Sequence, residues 1–505
     1  MGKIKTIEEI GEIIANKRKN DTGCKIVQCH GVFDLIHIGH IKHLEAAKKL
    51  GNILVVTITS DRYVNKGPGR PVFNQLLRAE AMAKNEDVDY VAINDFPTAI
   101  EAINIIKPNI FAKGSDYVDD SKSLTGNRVK EREAAENNGG KVVLTDEIAF
   151  SSSNILNKYF DLYPNEVYAY LENFRGKYSI EQITTILDSI RSKKILIIGD
   201  TIIDKYSYCK SLNKSPKENI IPARHLSDEI FAGGVLATAN HLANFCDNVT
   251  LVTCLGNKGN EHLVGKINKK IDQKIFYRDD VPTVMKQRFV EVTYFAKLFE
   301  IQEMDDTIIN NPISNDIRRF LIQKYDDYDL IIVNDFGHGC FDGSIIGTIC
   351  GFPKFMAINV QTNSANLGFN LLTKYSRADY ICVDEPEMRL ACVDRTNDLV
   401  DLVKKIAVKM DCQNISVTHG KYETMTYNDK TGFYRTPVFS SKVVDTMGAG
   451  DAVFALTAPL VQMGVSMDIV GFVGNLVGAL KVQIIGNRAS VDKASLYRFM
   501  TALMK

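Results

Sequence analysis

No sign of charge dominates this sequence. Its 505 residues carry 61 Lys and Arg against 61 Asp and Glu, a formal net charge of zero, and the parts before and after residue 160 are each close to neutral. The basic tail, stripe or domain of a general nucleic-acid binder is missing. No C-x-x-C pair occurs. The ten cysteines are scattered, with Cys24 and Cys29 the nearest two, so neither zinc nor dithiol chemistry is indicated, and reduced, buried thiols are expected. Long apolar runs are absent as well. The longest, from Ile469 to Ile485, is interrupted by Asn475 and Lys481, which argues against a membrane span. The first residues, Met1 to Ile14, alternate charged and apolar side chains instead of forming the core of a signal peptide. A cytoplasmic location is the expectation. No low-complexity tract, heptad or short repeat is visible.

What is present is ordinary globular composition, 45% hydrophobic and 24% charged. At roughly 100–200 residues per domain, the length favours two to four domains over one. Short apolar runs alternate with helix-type runs throughout. Asn52 to Thr59, Asn109 to Ala112 and Lys141 to Leu144 are early examples; Leu330 to Val333, Phe355 to Val360 and Asn414 to Thr418 are later ones. Continuous apolar strands between helices predict parallel sheets covered on both faces, an α/β protein. The stretch 161–192 differs. It carries Tyr168, Tyr170 and an amphipathic run from Ile180 to Ile190, and is expected to be a connector with helical content between a domain over 1–160 and a domain over 193–505.

The sharpest early feature runs from His30 through Gly31, Phe33 and Asp34 to His37, Gly39 and His40. Two histidines bracket a glycine where a helix should begin. A helix start presents unpaired N–H groups and partial positive charge, which suits phosphate. Imidazole donors there can hold a triphosphate and the departing pyrophosphate, and Gly39 leaves room for a base and ribose. A lone H-x-G-H serves as readily as a helix cap or a polar core pair. The flanking Gly31-x-Phe33-Asp34 favours the functional alternative.

From about Lys25 to Phe160 the sequence resembles the nucleotidyltransferase superfamily that includes cytidylyltransferases and heptose-phosphate adenylyltransferases. The matching residues continue through Ser60-Asp61, Lys66-Gly67, Arg70-Pro71, Arg78, Lys113-Gly114-Ser115-Asp116-Tyr117 and Ser151-Ser152-Ser153. The resemblance implies a Rossmann-like domain with His37, His40 and Lys113 at the transferred phosphate. It also implies nucleotide contacts from Gly31, Phe33, Asp34, Gly39, Arg70, Ser151, Ser152 and Ser153. Ala149-Phe150 stand where many cytidylyltransferases carry an arginine, which leans towards ATP, with CTP still open.

Near the other end stands Asp445-Thr446-Met447-Gly448-Ala449-Gly450-Asp451, followed by a helix-type run. Small residues at a helix start let backbone N–H groups converge on an anion. Asp451 at that start could take a proton from a hydroxyl. The string resembles the signature of the ribokinase-like (PfkB) carbohydrate kinases, and weaker matches extend from about Lys193 to Val491. The resemblance implies an α/β domain with a small β lid and Asp451 as base. Nucleotide contacts would come from Thr418, Gly420, Gly448, Ala449, Gly450 and Asn475. Sugar contacts would come from Asp200, Asp204, Gly233, Gly234, Asn240 and Asp335. Asp384 and Glu387 would lie near Mg²⁺. Two departures stand out. Asn359 to Ser364 replaces an Asp-Pro-Lys string usual in heptose kinases, and Glu423 replaces a second glycine after Gly420.

The pair of domains resembles the bifunctional heptose-phosphate kinase and adenylyltransferase of ADP-heptose synthesis, with the domain order reversed. That implies phosphorylation at an anomeric carbon, then nucleotidyl transfer to a sugar 1-phosphate, with ATP and Mg²⁺ as partners. It also implies a homo-oligomer through the kinase domain, with neither nucleic acid nor membrane as partner. An intermediate phosphatase step would fall to another protein. The alternative is a cytidylyltransferase for a sugar or polyol phosphate, with the second domain a sugar-binding module.

Overall fold

A computed structural model describes residues 2–114, 127–145, 163–256, 263, 265–440 and 443–504. The chain divides into two compact units, Met1–Pro164 with Tyr497–Lys505, and Asn165–Leu496.

The first unit is built on β1 (Ile26–Gly31), β2 (Ile53–Thr59), β3 (Tyr90–Asn94), β4 (Ile110–Gly114) and β5 (Lys141–Thr145). These form one parallel sheet in the order β3-β2-β1-β4-β5. Six of the seven residues of β2 are buried, as expected for a strand covered on both faces. An N-terminal helix, Ile7–Asn20, opens on a capping box between Thr6 and Glu9 and buries Ile7, Ile10 and Ile14, a spacing that lines one helical face. The strand order turns back at β1, so a crevice opens beyond the C-terminal ends of β1 and β4. Open α/β sheets bind ligands at such a switch point.

The second unit continues with β6 (Lys194–Ser211), β7 (Ala223–Gly234), β8 (Asn248–Gly256), β9 (Asp272–Arg278), β10 (Val284–Glu291) and β11 (Ala296–Glu303). Then follow β12 (Leu330–Asp335), β13 (Phe355–Val360), β14 (Tyr380–Asp384), β15 (Asn414–His419), β16 (Glu423–Asn428) and β17 (Gly432–Pro437). The long strand β6 serves two layers. Lys194 to Asp200 pairs in parallel with β8, and Lys194's neighbours Ile195 to Gly199 pair with β12. Thr201 to Ser211 pairs antiparallel with β7, and Ile202 to Cys209 pairs in parallel with β10. The main sheet runs β9-β8-β6-β12-β13-β14-β15-β16-β17, and β7, the far half of β6, β10 and β11 form a small sheet at its edge. This is the β lid that the resemblance implies. The ten cysteines are all free and eight are buried.

The described part of the expected connector folds as two helices of the second unit, Asn165–Lys177 and Ile180–Ser189. The reason is apolar spacing: Val167, Leu171 and Phe174 share one buried face. Phe174 stacks on Phe472 at 4.2 Å, and Phe439 meets Phe472 edge-on at 5.5 Å. Phe174→Ala should therefore lower the stability of this unit by about 3–5 kcal/mol. The measurement is the unfolding midpoint of its own transition, since a chain of two units need not unfold in one step.

Candidate functional sites

In the first unit, β1 ends at Gly31 and the chain turns through Phe33, whose φ is 49°, into the helix Ile38–Lys48. His37 caps that helix. Its Nδ1 accepts the Gly39 amide at 3.1 Å, and His40 Nδ1 accepts the His37 amide at 3.4 Å. Those acceptor roles leave the proton on Nε2 of each neutral ring. The two rings stack at 3.9 Å, and Phe33 meets His40 edge-on at 5.3 Å. Burial pushes His40 down to about 3, with the charges of His37 and Lys66 adding to it; burial and Lys66 also lower His37. Both rings are neutral at pH 7 and act there as N–H donors rather than cations.

Asp34 and Arg70 come together as a buried pair at 3.3 Å. Asp34 also accepts the amides of Val72 and Phe73 at 2.7 and 3.1 Å, which makes it the anchor of the loop beside the site. Arg78, fully buried, completes that anchor. It donates to the carbonyls of Phe73 and Thr59 and to Asp61, at 2.7 to 2.9 Å, and to the Val32 carbonyl. Lys113 stands at the end of β4, paired with Glu131 at 3.0 Å. Its charge reaches His30 and His43, which burial already pushes down to about 4. Ser151, Ser152 and Ser153 lie outside the described residues. The sequence motif alone gives no role to Lys66, the cation that depresses both histidines.

In the second unit a cavity of about 430 Å³ lies between the lid and the C-terminal ends of the main-sheet strands. The lid supplies Asp204, Gly234, Lys286, Arg288, Glu300 and Gln302. The opposite wall holds Asp384, Glu387, Thr418, Gly448, Ala449, Gly450 and Asp451. Gly448 has a φ of 71° and caps the helix Ala449–Gln462, placing Asp451 in its first turn. Asp451 Oδ1 is buried without a protein partner, as are Asn359 Oδ1 and Asn487 Oδ1, which line the same cavity. Buried polar atoms rarely lack partners, so three of them around one cavity mark a place made for a ligand. Burial raises Asp451 to about 7; Asp204 adds to the rise, and Lys481 and Lys286 oppose it.

Gly233 and Gly234 earn their identity sterically. A Cβ at Gly233 would meet Asp204 Oδ2 at 2.1 Å, and one at Gly234, with φ of 59°, would meet the Asp200 carbonyl at 2.4 Å. Asp204 is thereby free to lie against β7 and pair with Arg288 at 2.5 Å; Arg288 also pairs with Glu300 at 2.7 Å. Asp384 and Glu387 form a reciprocal cap at the start of the helix Glu385–Cys392, each accepting the other's amide at 2.9 Å. One carboxylate oxygen of each remains outside that cap. Desolvation raises both, and each carboxylate raises Glu387 or its neighbour further: Asp384 acts on Glu387, and Glu385 on Asp384.

Other residues expected at substrate are placed elsewhere. Asp200 accepts the amides of Phe336 and Cys340 at 2.8 and 3.0 Å. Asp335 accepts from Tyr375, Gly337, Asn370 and Lys374 at 2.5 to 3.2 Å. Asp335 is occupied on both oxygens, and each oxygen of Asp200 takes one amide from the segment after β12. Asn240 bridges the Lys266 carbonyl and the Asn268 amide. Asn475 lies inside the helix Met467–Lys481 and donates to the Gly471 carbonyl one turn back at 3.0 Å. Gly420 begins the turn from β15 to β16 at φ of 52°, and none of these five is among the residues lining the cavity. Lys286, Arg288, Glu300 and Gln302 were missed. Alternation along β10 would have put Lys286 and Arg288 on one face, had the pairing that makes it a lid strand been known. Asn359, Gln361, Asn363 and Ser364, the segment that departs from the heptose-kinase pattern, also line the cavity.

Known proteins align with both units. Residues 29–158 match the cytidylyltransferase-like family model, and residues 355–494 match that of the pfkB family carbohydrate kinases. The chain is thus a two-domain α/β protein, with part of its first unit similar to the cytidylyltransferase-like family and part of its second similar to the pfkB family. Among relatives, the bifunctional protein HldE of Methylobacillus flagellatus is 44% identical over 139 residues, 27% of either chain. That of Trichlorobacter lovleyi is 37% identical over 167 residues, 32% of either chain. The chain spans about a third of the length of the curated relatives it matches. Phosphofructokinase-2 from Escherichia coli, solved with potassium, superimposes on 62% of this chain and 99% of its own, with a TM-score of 0.51 and 10% identity, a likeness of fold. No helix among the described residues is long and apolar enough to cross a membrane.

The raised Asp451 has a thermodynamic consequence. Its ordinary value is 3.8, and in the folded chain it titrates at about 7. Between those values the folded state holds more protons than the unfolded state, so stability falls as pH rises through the window. Asp451→Asn removes that loss. The variant should be more stable than the parent above about pH 7, by at most about 4 kcal/mol, and no more stable below about pH 4. Thermal unfolding across pH measures it.

Proposed function

We propose that the chain makes a nucleotide-activated sugar through two activities. The second unit phosphorylates a sugar or sugar phosphate, heptose-like in character, at its anomeric hydroxyl using ATP. The first unit transfers a nucleotidyl group, adenylyl by preference, to a sugar 1-phosphate and releases pyrophosphate. The observation that carries this is Asp451, its Oδ1 unpartnered at the head of a helix, under a glycine loop and facing a cavity with Lys286 and Arg288 on its other wall.

In the kinase step, Asp451 Oδ takes the hydroxyl proton as the sugar oxygen attacks the terminal phosphorus. The N–H groups of the 448–451 helix start receive the developing charge. Asp204, held by Arg288, the unpartnered Asn359 Oδ1 and Gln361 line the cavity where they would orient sugar hydroxyls. Mg²⁺ binds through one or two carboxylates plus phosphate oxygens; the carboxylates of Asp384 and Glu387 would hold the ion, which would supply charge neutralisation on the phosphates. In the transfer step the sugar phosphate is already a nucleophile, so positioning and charge dispersal suffice. The neutral His37 and His40 bracket Gly39 at a helix start, where imidazole and backbone N–H groups would meet phosphate oxygens, and Lys113 would supply positive charge from the end of β4. A homo-oligomer through the lid belongs to the same proposal, since Leu298, Phe299 and Ile301 of β11 are exposed. Phe299→Asp should then lower the mass measured by sedimentation.

The test separates the two units. Asp451→Asn should abolish sugar-dependent ADP formation and leave pyrophosphate release intact. The parent's kinase rate should rise with pH through about 7, as the carboxylate ionises. His40→Ala should lower kcat/KM for pyrophosphate release by about 10²–10³-fold, and His40→Gln, which keeps an N–H donor, by less. Pyrophosphate release with ATP, CTP and GTP over a panel of sugar 1-phosphates decides the nucleotide; preference for CTP together with no kinase activity would replace this proposal with a cytidylyltransferase carrying a sugar-binding module.

A further inference from the structure

Lys481 is a charged side chain with no exposed surface, at the end of the apolar helix Met467–Lys481. Its Nζ donates to the Met447 carbonyl at 2.5 Å and to the Gly486 carbonyl at 2.8 Å. Asp445 treats the same two residues in the opposite sense. Its carboxylate accepts the Met447 amide at 3.1 Å and the Gly486 amide at 2.7 Å. The pair clamps two loops by their peptide groups, the lysine holding carbonyls and the aspartate holding N–H groups. One loop is 446–450, whose backbone heads the helix that bears Asp451. The loops are tightly apposed there: a Cβ on Gly448 would lie 2.5 Å from Asn487 Oδ1 and 3.4 Å from Lys481 Cε. Lys297 and Tyr206 complete the Asp445 carboxylate at 2.6 and 2.7 Å.

A buried ammonium is costly unless its donors are satisfied and its charge is balanced. Here two carbonyls, one from each loop, receive the ammonium, and the carboxylates of Asp445, Asp451 and Asp204 oppose its charge; no apolar side chain could hold two carbonyls in this way. We propose that Lys481 is a positioning residue of the phosphoryl-transfer site, a tethered cation that fixes the 446–450 loop in its anion-receiving conformation. This rests on the kinase reading above. Lys481 is not among the residues lining the cavity; it acts through the peptide groups of Met447 and Gly486. A compact ammonium is what the carbonyl pair receives, so a small free cation can replace it only where the side chain leaves space.

The experiment compares the full-length parent with Lys481→Ala, which leaves a space, and Lys481→Met, which fills it without charge. Two quantities are read, each with and without added ammonium chloride: kcat for sugar-phosphate-dependent ADP formation, and thermal stabilisation by Mg²⁺-ATP. The parent should be indifferent to ammonium. Lys481→Ala should lose about 10–100-fold in kcat, as loss of an outer-shell partner does, with ammonium restoring much of the loss. Lys481→Met should lose as much and recover nothing. A Met variant with the parent's kcat overturns the proposal, because volume alone would then suffice, and this holds even where the Ala variant fails to fold. An Ala variant that folds but is not restored by ammonium overturns it as well. A parent that phosphorylates no sugar defeats the kinase reading; the ammonium dependence of Mg²⁺-ATP stabilisation still decides the role of Lys481.

Discussion

Asp451 loses its water at the head of an apolar helix, and the charges around it decide how far its proton affinity rises. Burial and Asp204 push it up; Lys481 and Lys286 pull it back to about 7. A carboxylate left at its ordinary value would be a weak base, and one raised much further would stay protonated at neutral pH. The surroundings of the second cavity are arranged around that balance. Arg288 draws Asp204 into a pair, Gly233 makes space for that pair, and Lys481 and Asp445 hold the loop that carries the helix start.

The first unit offers the same kind of anion-receiving helix start with little fixed charge. A parallel sheet directs each following helix so that its N-terminus faces the C-terminal strand ends. Both proposed phosphate sites use such a helix start, Ile38 in one unit and Ala449 in the other. Backbone N–H groups carry partial charge without altering the net charge of the chain. The zero balance of 61 against 61 therefore excludes a broad polyanion surface and is silent about phosphate pockets.

The alternation of apolar runs made the parallel parts of both sheets legible before any coordinates, though not the antiparallel β15-β16-β17 edge, and the signature from Asp445 to Asp451 placed Asp451 at a helix start. Asp204, Gly234, Asp384, Glu387 and Thr418 are brought to that same cavity. Asp200, Asp335 and Asn240 are not, because a motif locates a loop and says nothing of which atoms the loop needs for itself. Asp200 is taken up by two amides, and Asp335 by a tyrosine, an asparagine, a lysine and an amide. Lys286 and Arg288 were hidden for the converse reason. They sit on a strand whose partner is the far half of β6, more than seventy residues away in sequence, and no local pattern reveals that pairing. Lys481 read only as an interruption of an apolar run, since a lysine bonded to two carbonyls and a lysine at a helix end look alike in one dimension.

The histidines of the first unit show how the same residue types can be used without formal charge. His37 and His40 stack at 3.9 Å, a distance at which two imidazolium ions would repel strongly. Burial and His37 hold down the protonation of His40, burial holds down that of His37, and Lys66 adds to both. Neutral rings in the free protein spare it the cost of two adjacent buried like charges, and a neutral imidazole still carries one N–H with which to meet an anion at the helix start.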